Sequence, residues 1–465
     1  MLEKCSCNPK EASKIIKEIT QTWKPQTEVI NSKSGTTLTE TEAILKRWAD
    51  YCEGLYKEKQ PQDQPWKPTR EESPEPEPTR EEVAIALRQL KNGKSSGVDD
   101  IPAELWKMSG EEGVTLIWKL CIAIWKRREW PKEWCTGVFV PLPKKGNLKE
   151  CSNYRTINLI VHASKVLLKI IAARTRERYQ REISEEQAGF MKERGTREQI
   201  TNIRIIMDKH RECSAPLYMC FIDYSKAFDC VNHHRLWTDM ENMGFPVHVI
   251  SLLDHLYREQ LATVRTTNGS SSLFPIGRGV RQGCILSPSL FNIYTEEIIR
   301  EATEHLSTGV KVGGYKISNL RYADDTTLLC QSKEELMALL KTIEDLSRNK
   351  GLLLNAKKTK IMVIDKNRKD FNDFILNGQH LEEVKEFDYL GSMINTEADV
   401  IYEIKRRLNI ARTSIQKMDK IWKSRAISSN LKLRLARATA FSISGVARKF
   451  SRRVKPSMGV GGQEF

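Results

Sequence analysis

Two adjacent acids, Asp324 and Asp325, are the residues of this 465-residue chain whose type and spacing are best suited to chemistry. Residues 319–323 before the pair and 326–330 after it have the composition of short β-strands, which predicts that the acids lie at the bend of a hairpin. Two carboxylates held at one bend repel each other and favour protonation, a preference that a divalent metal reverses. Their hard oxygen atoms suit Mg²⁺ or Mn²⁺. The pair by itself is better explained as an ordinary acidic turn.

A third acid, Asp223, changes that balance. It directly follows the apolar run LYMCFI at residues 217–222, which predicts a buried strand with an acid at its exit. An acid at the end of a strand can meet an acid pair on a neighbouring hairpin. Three carboxylates from two strands could hold two metal ions, one activating an attacking oxygen and the other stabilising the leaving oxygen.

A glycine-rich segment, GVRQGCILSPSLFN at residues 279–292, lies between these acids in the chain. A polar loop here leads into an apolar helix, for which Ser287 is the predicted N-cap and Pro288 the first helical residue. Glycines in such a loop allow another chain to approach the backbone closely. His233 and His234 lack a third ligand at metal-binding spacing and are interpreted as helix-surface histidines.

These blocks, FIDYSKAFD (221–229), GVRQGCILSPSLFN (279–292) and YADD (322–325), resemble in sequence and order the palm motifs of reverse transcriptases. Their form is similar to that of non-LTR retrotransposons, the long interspersed elements, and closest to the RTE-like group. The resemblance extends from about residue 81 to residue 441. It implies an α+β right-hand polymerase with fingers, a palm built on an antiparallel sheet, and a helical thumb. The implied activity is RNA-directed DNA polymerase, a templated nucleotidyl transfer to a primer 3′-OH.

The resemblance also implies roles for individual residues. Asp223, Asp324 and Asp325 would be the catalytic residues that hold two Mg²⁺ (or Mn²⁺) ions. The remaining implied contacts are to the nucleotide. Arg155 would reach its phosphates, for which a forked guanidinium is well suited, Phe228 would block a ribose 2′-OH, and Gln282 and Gly283 would line the pocket. The family usually has proline after this arginine, and here the residue is Thr156.

Three further blocks have counterparts in the family. Residues 187–190 (QAGF) resemble a fingers block that touches the template. A lysine in the block at 357–363 would assist departure of pyrophosphate, although the sequence leaves open which lysine. Residues 387–391 (FDYLG) resemble the block that grips the primer end.

The composition indicates an intracellular protein with a polyanionic partner. The net charge is +15 and the isoelectric point about 9.2. Mean hydropathy is −0.49, and no apolar run reaches the roughly 18 residues that span a bilayer. Eleven scattered cysteines without a CxxC pair indicate a reducing compartment, the nucleus or the cytoplasm or both. The expected partners are an RNA template, a DNA primer and dNTPs, without a membrane, and the oligomeric state stays open.

Positive charge is concentrated at the C-terminal end of the chain. Residues 401–465 contain 16 lysines and arginines against three acids, which gives +13 of the total +15. Apolar residues recur there at helical spacing, with cations on the remaining surface. A face of one sign fits a thumb that holds nucleic-acid phosphates, whereas a solvated helix or a membrane-surface helix is the less favoured interpretation. The predicted phosphate-binding residues are Lys405, Arg406, Arg412, Lys417, Lys420 and Lys423.

The domain organisation follows from these patterns and from the resemblance. The predicted order is a helical N-terminal segment (1–60), an extended and mobile Pro/Glu-rich linker (61–80), pre-fingers helices (81–124), reverse transcriptase fingers and palm (125–394), an incomplete basic thumb (395–442) and a disordered basic tail (443–465). No endonuclease-like block precedes the linker, so the chain is expected to be truncated relative to its family.

Two other functions stay open at this stage. The chain could be a truncated, catalytically inactive element remnant that binds nucleic acid, which the missing flanking domains favour and the intact carboxylates oppose. It could instead be a maturase-like RNA-binding protein, although the AFD and QGCILSP forms resemble that branch less.

Overall fold

The computed structural model describes residues 29–57, 66–72, 74–144, 146–304, 306, 308–365, 373–425 and 427–441. They fall into two compact units, one ending at Val384 and the other beginning at Lys385. Of the predicted helical segment 1–60, the structure describes residues 29–57, where two short strands precede a single helix. The predicted disordered tail at 443–465 lies outside the described residues. Within the described part, helices and sheets are mixed, which confirms the predicted α+β class.

The α-helices of the first unit provide much of its apolar core. In chain order they are α1 (Thr41–Tyr56), α2 (Arg80–Arg88), α3 (Ala103–Met108), α4 (Gly110–Arg127), α5 (Lys132–Cys135), α6 (Ser164–Arg174), α7 (Arg176–Glu182), α8 (Thr196–Glu212), α9 (His233–Asn242), α10 (Val247–Arg258), α11 (Ser287–Glu304) and α12 (Lys333–Asn349). Short 3₁₀ turns are formed by Cys151–Asn153 and Ala227–Asp229.

The strands of the first unit are short. They are β1 (Ile30–Asn31), β2 (Thr37–Leu38), β3 (Thr136–Pro143), β4 (Tyr154–Leu159), β5 (Leu217–Ile222), β6 (Leu261–Thr266), β7 (Gly269–Ser270), β8 (Phe274–Pro275), β9 (Val310–Val312), β10 (Tyr315–Ile317), β11 (Asn319–Tyr322), β12 (Asp325–Cys330), β13 (Lys360–Ile364), β14 (Phe374–Leu376) and β15 (Gln379–Glu383).

A six-stranded sheet in the order β11-β12-β5-β13-β15-β14 carries the predicted catalytic blocks. Strand β5 lies inside it, antiparallel to both β12 and β13, and all six of its residues are buried. A strand covered on both faces requires a continuous apolar run rather than an alternating one, and LYMCFI is such a run. The predicted antiparallel pairing at the centre of the palm is therefore present.

Helix α12 follows the catalytic hairpin and packs its apolar stripe inward. Ser332 caps the helix by accepting a 3.1 Å hydrogen bond from the backbone N–H of Glu335. Leu336, Leu339 and Ile343 recur at helical spacing and are fully buried. The helix is amphipathic and runs from Lys333 to Asn349.

A second sheet, in the order β4-β3-β6-β7, carries Arg155. Strand β3 pairs antiparallel with β4, and Arg155 lies opposite Leu142. On its other edge β3 pairs in parallel with β6. Helix α1 packs its buried residues Trp48 and Tyr56 against the apolar side chains of this sheet, including Phe139 and Val264.

The predicted linker is extended in the described residues 66–72 and 74–79, as expected, but it packs against the first unit. The side chain of Trp66 is buried in the main core. The Glu241 carboxylate of α9 accepts hydrogen bonds of 2.8 and 2.9 Å from the backbone N–H groups of Thr69 and Arg70. The Trp118 indole donates a 2.9 Å bond to the Pro78 carbonyl. These contacts satisfy backbone groups that a proline-rich segment cannot pair within itself.

The second unit joins a hairpin to helices. Its elements are β16 (Glu386–Tyr389), β17 (Ser392–Asn395), α13 (Val400–Lys417), α14 (Asp419–Lys423), α15 (Ser429–Ala436) and a π-helical turn (Arg437–Phe441). Glu403 of α13 is buried and accepts bonds from Ser392 Oγ (3.3 Å) and the Met393 N–H (3.1 Å). The hairpin and the first helix are thereby joined through one carboxylate.

No helix among the described residues is both long and apolar enough to span a membrane.

Candidate active site

The three predicted carboxylates lie at the same end of neighbouring strands in the central sheet. Thr326 of β12 lies opposite Ile222 of β5, so Asp325 and Asp223 are the next residues of the two strands at the same end. Asp324 lies in the turn between β11 and β12, as predicted. The turn is tight because Ala323 adopts a left-handed conformation, with φ of +60°.

Desolvation and neighbouring negative charge raise the pKa of two of these carboxyls, those of Asp324 and Asp325. The pKa of Asp325 is raised from 3.8 to about 6, first by desolvation and then by the charges of Asp324 and Asp223. The pKa of Asp324 is also raised, by desolvation and by Asp223, while Arg155 acts in the opposite direction. The negative charges are therefore close enough to be costly without a cation.

Asp223 has an unusual environment for a carboxylate. Its Oδ2 atom is buried and accepts no hydrogen bond, although the Lys358 ammonium lies 3.5 Å away. The backbone of Asp223 is fixed on both sides, since its N–H donates to Thr359 Oγ1 (3.4 Å) and its carbonyl accepts from the Asn355 N–H (2.8 Å). A buried oxygen with a free lone pair on a fixed backbone is available to a further ligand.

The donor set fits a divalent cation. It consists of hard carboxylate oxygens, it includes the orphaned Oδ2 atom of Asp223, and its charges repel one another. Among the described residues, however, no three His, Cys, Asp or Glu side chains are gathered closely enough to form a ready metal centre. The carboxylates would therefore have to move together around an ion, which would offset their repulsion.

Cations line the neighbouring surface. Lys144, after β3, is exposed, and its pKa is lowered first by desolvation and then by the charges of Arg155, Lys226 and Lys358. Arg155 is exposed on β4 and is close enough to Asp324 to lower the pKa of that carboxyl. Arg155 and Lys358 thus lie close to the carboxylates, and Lys144 lies close to Arg155.

Gln282 lies beside a buried carboxylate, Asp229. The Gln282 side chain donates a 2.7 Å hydrogen bond to Asp229 Oδ1, and the Tyr56 hydroxyl donates a 2.9 Å bond to the same atom. Tyr56 also lies 3.2 Å from Thr156 Oγ1, so the residue that replaces the usual proline joins this network. Burial raises the pKa of Asp229, and the two neutral donors oppose that effect.

The glycine-rich loop is approached by the chain's own backbone. Gly283 has a φ of +122°, and a Cβ atom there would lie 2.6 Å from the Asn158 carbonyl oxygen of β4. Glycine is required at this position for both reasons. The preceding Arg281 is buried and donates to the Trp134, Cys135 and Leu256 carbonyls, so its role is structural.

Two residues near this loop, Ser287 and His233, differ from expectation. Ser287 is the first residue of α11 rather than the residue before it, and its hydroxyl donates a 2.7 Å bond to the Arg281 carbonyl. His233 is half-buried rather than exposed on the helix surface. Its Nε2 lies 2.8 Å from the Gly279 carbonyl, and burial lowers its pKa to about 4. His234 is exposed, as predicted.

Phe228 lies in an aromatic cluster. Its ring stacks on Phe291 of α11, with centroids 4.2 Å apart and planes 18° apart, and Phe190 meets it edge-on at 6.4 Å. Phe228 lies in the 3₁₀ turn Ala227–Asp229, five residues after Asp223, on the segment that leads away from the carboxylates. The stacking holds the ring in one orientation.

Comparison with known proteins identifies the family. The family model described as "Reverse transcriptase (RNA-dependent DNA polymerase)" matches residues 142–394, which is more than half of the chain. The chain belongs to this family. The matched range contains all the carboxylates, Arg155 and the glycine-rich loop.

Similar proteins come from retrotransposons of the non-LTR type. A Pol polyprotein of the type-1 retrotransposable element R2 of Popillia japonica is 29% identical over 230 residues, 49% of this chain and 32% of that protein. The RNA-directed DNA polymerase from mobile element jockey of Drosophila funebris is 25% identical over 350 residues, 73% of this chain and 38% of that protein. The chain thus spans about a third of the length of these relatives. Within the reverse transcriptase family, the chain is similar to proteins of non-LTR elements, and the RTE-like subgroup stays a prediction.

Among solved structures, the chain is similar to an apo telomerase from Candida tropicalis truncated from its C-terminal domain. The TM-score is 0.43 and the identity 13%, covering 65% of this chain and 61% of that one. Membership of the reverse transcriptase family agrees with the polymerase class predicted from the motifs. Reverse transcriptases use divalent metal ions, which agrees with the donor set found at the carboxylate edge.

The basic residues predicted to hold phosphates in this reverse transcriptase differ in their surroundings. Lys405, Arg412 and Lys417 are exposed on α13. Arg406 is ion-paired with Asp388 (3.0 Å) and Glu403 (3.2 Å), and the exposed Lys423 is paired with Asp419 (2.5 Å). The side chain of Lys420 lies outside the described part. Binding of phosphates by all six stays a prediction.

Several residues at the site were missed as site residues by sequence reasoning. Asp229 lies within a recognised motif, and its position six residues after Asp223 was the available signal. Lys358 lies in the predicted lysine block, and only its 3.5 Å distance from Asp223 distinguishes it from its neighbours. Tyr56 gave no signal, because it lies far upstream of the matched motifs.

Proposed function

We propose that this chain is an RNA-directed DNA polymerase, with an RNA template, a DNA primer and dNTPs as substrates. The observation that carries the proposal is the placement of Asp223, Asp324 and Asp325 at the same end of β5 and the β11–β12 hairpin, where desolvation and the charge of Asp223 raise the pKa of both Asp324 and Asp325. Membership of the reverse transcriptase family supports the same reaction.

The three carboxylates would hold Mg²⁺ or Mn²⁺. A divalent metal there would make the primer 3′-OH a better nucleophile and stabilise charge on the leaving pyrophosphate. The chain's own contribution is positioning. The backbone of Asp223 is fixed by Thr359 and Asn355, and the hairpin fixes Asp324 and Asp325 relative to it.

The cations around the site would bind the triphosphate. Arg155 and Lys144 extend from β4 and the end of β3, and Arg155 is close enough to influence Asp324. We assign assistance with pyrophosphate departure to Lys358, whose ammonium lies 3.5 Å from Asp223 Oδ2. A phosphate group would compete with Asp223 for this ammonium, which can then donate to a leaving oxygen.

The remaining roles follow from placement. Phe228 would stand against the ribose, and Gln282 and Gly283 would line the nucleotide pocket. The exposed cations of α13 would bind phosphates of the template–primer. The protein would act inside the cell, in the nucleus or the cytoplasm or both.

Primer extension on purified protein tests this function. With an RNA template, a DNA primer and dNTPs, extension should require Mg²⁺ or Mn²⁺ and stop on addition of EDTA. Asp324→Asn should lower extension by at least about 10³-fold, because one carboxylate fewer cannot hold the ions, with unfolding temperature and RNA affinity close to wild type. Near wild-type extension by this variant would exclude the assigned site.

Binding of RNA without primer extension would favour a non-catalytic function. Tight binding of RNA without extension by the wild-type chain, under conditions where a known reverse transcriptase extends the same primer, would indicate an inactive remnant or a maturase-like RNA-binding protein.

A further inference from the structure

The QAGF block at 187–190, expected to touch the template, is hydrogen-bonded to the catalytic turn. The Gln187 side chain is fully buried, and its Oε1 atom accepts bonds from the Ala323 N–H (2.9 Å) and the Gly189 N–H (2.7 Å). Its Nε2 atom lies 3.4 Å from the Ala323 carbonyl. One side chain thus contacts both backbone polar groups of the residue that precedes Asp324.

The chemistry fixes the orientation of this amide. Two backbone N–H groups are directed at the same side-chain atom, and only the amide oxygen can accept from them. Both bonds are buried and therefore costly to lose. The arrangement is specific for a side chain that offers an acceptor and a donor at this length.

Ala323 is the residue in the turn that requires such support. Its φ of +60° lies in the left-handed region, which residues with a Cβ atom adopt only at a cost. Its side chain is buried against the neighbouring loop, where a Cβ atom on Gly189 would lie 2.1 Å from the Ala323 nitrogen. The strained conformation sets the direction of the adjacent carboxylates. The hydrogen bonds between the Gln187 side chain and the Ala323 backbone, here called the Gln187 clamp, oppose its relaxation.

A second glutamine supports the same segment without touching Ala323. Gln199 of α8 is fully buried and donates to the carbonyls of Glu186 (2.6 Å) and Arg321 (3.0 Å). The backbones of the two segments also pair, through bonds of 2.9 Å from Ala188 N–H to the Arg321 carbonyl and from Arg321 N–H to the Glu186 carbonyl. Gln199 therefore provides a matched control for Gln187.

We propose that Gln187 is a positioning residue that holds Ala323 in its left-handed conformation and so sets the direction of Asp324 and Asp325. The inference rests on the proposed function for its effect on catalysis, but the clamp itself can be measured without catalysis. A glutamine that merely filled the core would support the fold and leave the turn conformation unaffected.

The catalytic test compares single and double variants. Gln187→Met keeps the volume and removes all three hydrogen bonds of the side chain, so Mg²⁺-dependent extension should fall about 10- to 100-fold as the carboxylates lose alignment. Ala323→Gly removes the strain, because glycine adopts the left-handed region freely, and should recover about fivefold in the Gln187→Met background. Gln199→Met should not be rescued by Ala323→Gly. Unchanged extension by Gln187→Met, absence of rescue, or equal rescue of both methionine variants would overturn the proposal.

The structural test is hydrogen–deuterium exchange of the metal-free protein. The Ala323 amide should exchange slowly in the wild type, in contrast to the amides of the exposed Gly313–Gly314 turn of the β9–β10 hairpin, and Gln187→Met should remove that protection. If Gln187→Met does not fold, the test is the comparison of the two turns within the wild-type protein. Exchange at the Ala323 amide as fast as at the Gly313–Gly314 turn would overturn the proposal. Protection of Ala323 in a protein that never extends a primer would separate failure of the proposed function from failure of this inference.

Discussion

The hydroxyl of Tyr56 donates a 2.9 Å hydrogen bond to Oδ1 of Asp229, a residue 173 positions later in the chain. Both side chains are buried, and the same carboxylate oxygen accepts a 2.7 Å bond from Gln282. Helix α1 is thereby joined to the turn after β5 and to the glycine-rich loop. The N-terminal helix is part of the support of the proposed nucleotide pocket rather than a separate appendage.

Tyr56→Phe should weaken that support. Asp229 would stay buried with one donor fewer, which should lower the free energy of unfolding by about 1–2 kcal/mol. Gln282 would lose a rigid partner, so the KM for dNTP should rise more than kcat falls. Chemical denaturation and steady-state extension measure the two effects. Tyr402→Phe, which removes a bond to the exposed Glu386, is the control and should change neither. An unchanged KM in Tyr56→Phe would restrict the network to a structural role.

His233 should make stability pH-dependent. Burial lowers its pKa to about 4, and its Nε2 lies within hydrogen-bonding distance of the Gly279 carbonyl. Because the unfolded chain takes up a proton near pH 6.5 and the folded chain does not, this contribution is complete above pH 6.5. It should be lost as pH falls towards 4, by at most about 3 kcal/mol.

Thermal or urea unfolding between pH 4 and 7.5 measures this effect. His233→Gln keeps a donor of similar reach without a titrating group, so the acid-side loss should shrink. His234→Gln, at the exposed neighbouring position, should retain the wild-type pH dependence. Identical pH profiles for wild type and His233→Gln would exclude His233 as the source.

Phe228→Ala should relax the discrimination between ribose and deoxyribose. The ring is held by its stack on Phe291, and its removal would leave space beside the proposed sugar position. The ratio of rNTP to dNTP incorporation should rise at least about tenfold, which corresponds to about 1.4 kcal/mol of discrimination. Phe190→Ala removes the edge-on neighbour while leaving Phe228 in place, and should leave the ratio unchanged. An unaltered ratio in Phe228→Ala would remove that residue from the sugar site.

The exposed cations of α13 should determine affinity and its dependence on salt. Changing Lys405, Arg412 and Lys417 together to Gln preserves helix propensity. If all three contact phosphates, the slope of log affinity against log salt should flatten by about two to three. Much of the turnover should return at saturating template–primer. A salt titration of binding beside single-turnover extension measures both quantities.

A charge-matched control separates local contacts from net charge. Lys46, Lys119 and Lys341 are exposed lysines on helices of the first unit, and their joint change to Gln removes the same total charge. An equal flattening of the salt slope in both triple variants would mean that α13 makes no phosphate contacts of its own. A flattened slope with no extension at saturation would instead mean that these cations position the primer end.

Some features of the site could be read from local patterns. The LYMCFI run predicted a buried strand because a strand covered on both faces needs apolar residues throughout, and the acid at its exit followed directly. The acid pair between two β-rich segments predicted the hairpin turn. Such patterns lie within a dozen residues, where backbone geometry alone connects sequence to structure.

Other features could not be read in this way. The segment 66–79 has the composition of a mobile linker, but Trp66 and the Glu241 carboxylate hold it to the folded body. Likewise, His233 has the neighbourhood of a surface histidine but is half-buried, because its ring lies against the Gly279 carbonyl of the distant glycine-rich loop. Composition indicates how a segment behaves by itself. In both cases contacts with residues distant in the chain determined the burial that was observed.

The sequence by itself determined the types and order of the chemical groups, and with them the family, the α+β class and the three carboxylates. Only the tertiary structure decided which groups support them, namely that Gln187 clamps Ala323, that Tyr56 and Gln282 share Asp229, and that Lys358 faces Asp223. The physical reason is that strand and turn patterns are fixed by neighbours in the chain. A buried hydrogen bond or ion pair depends instead on two side chains from separate elements reaching the same point.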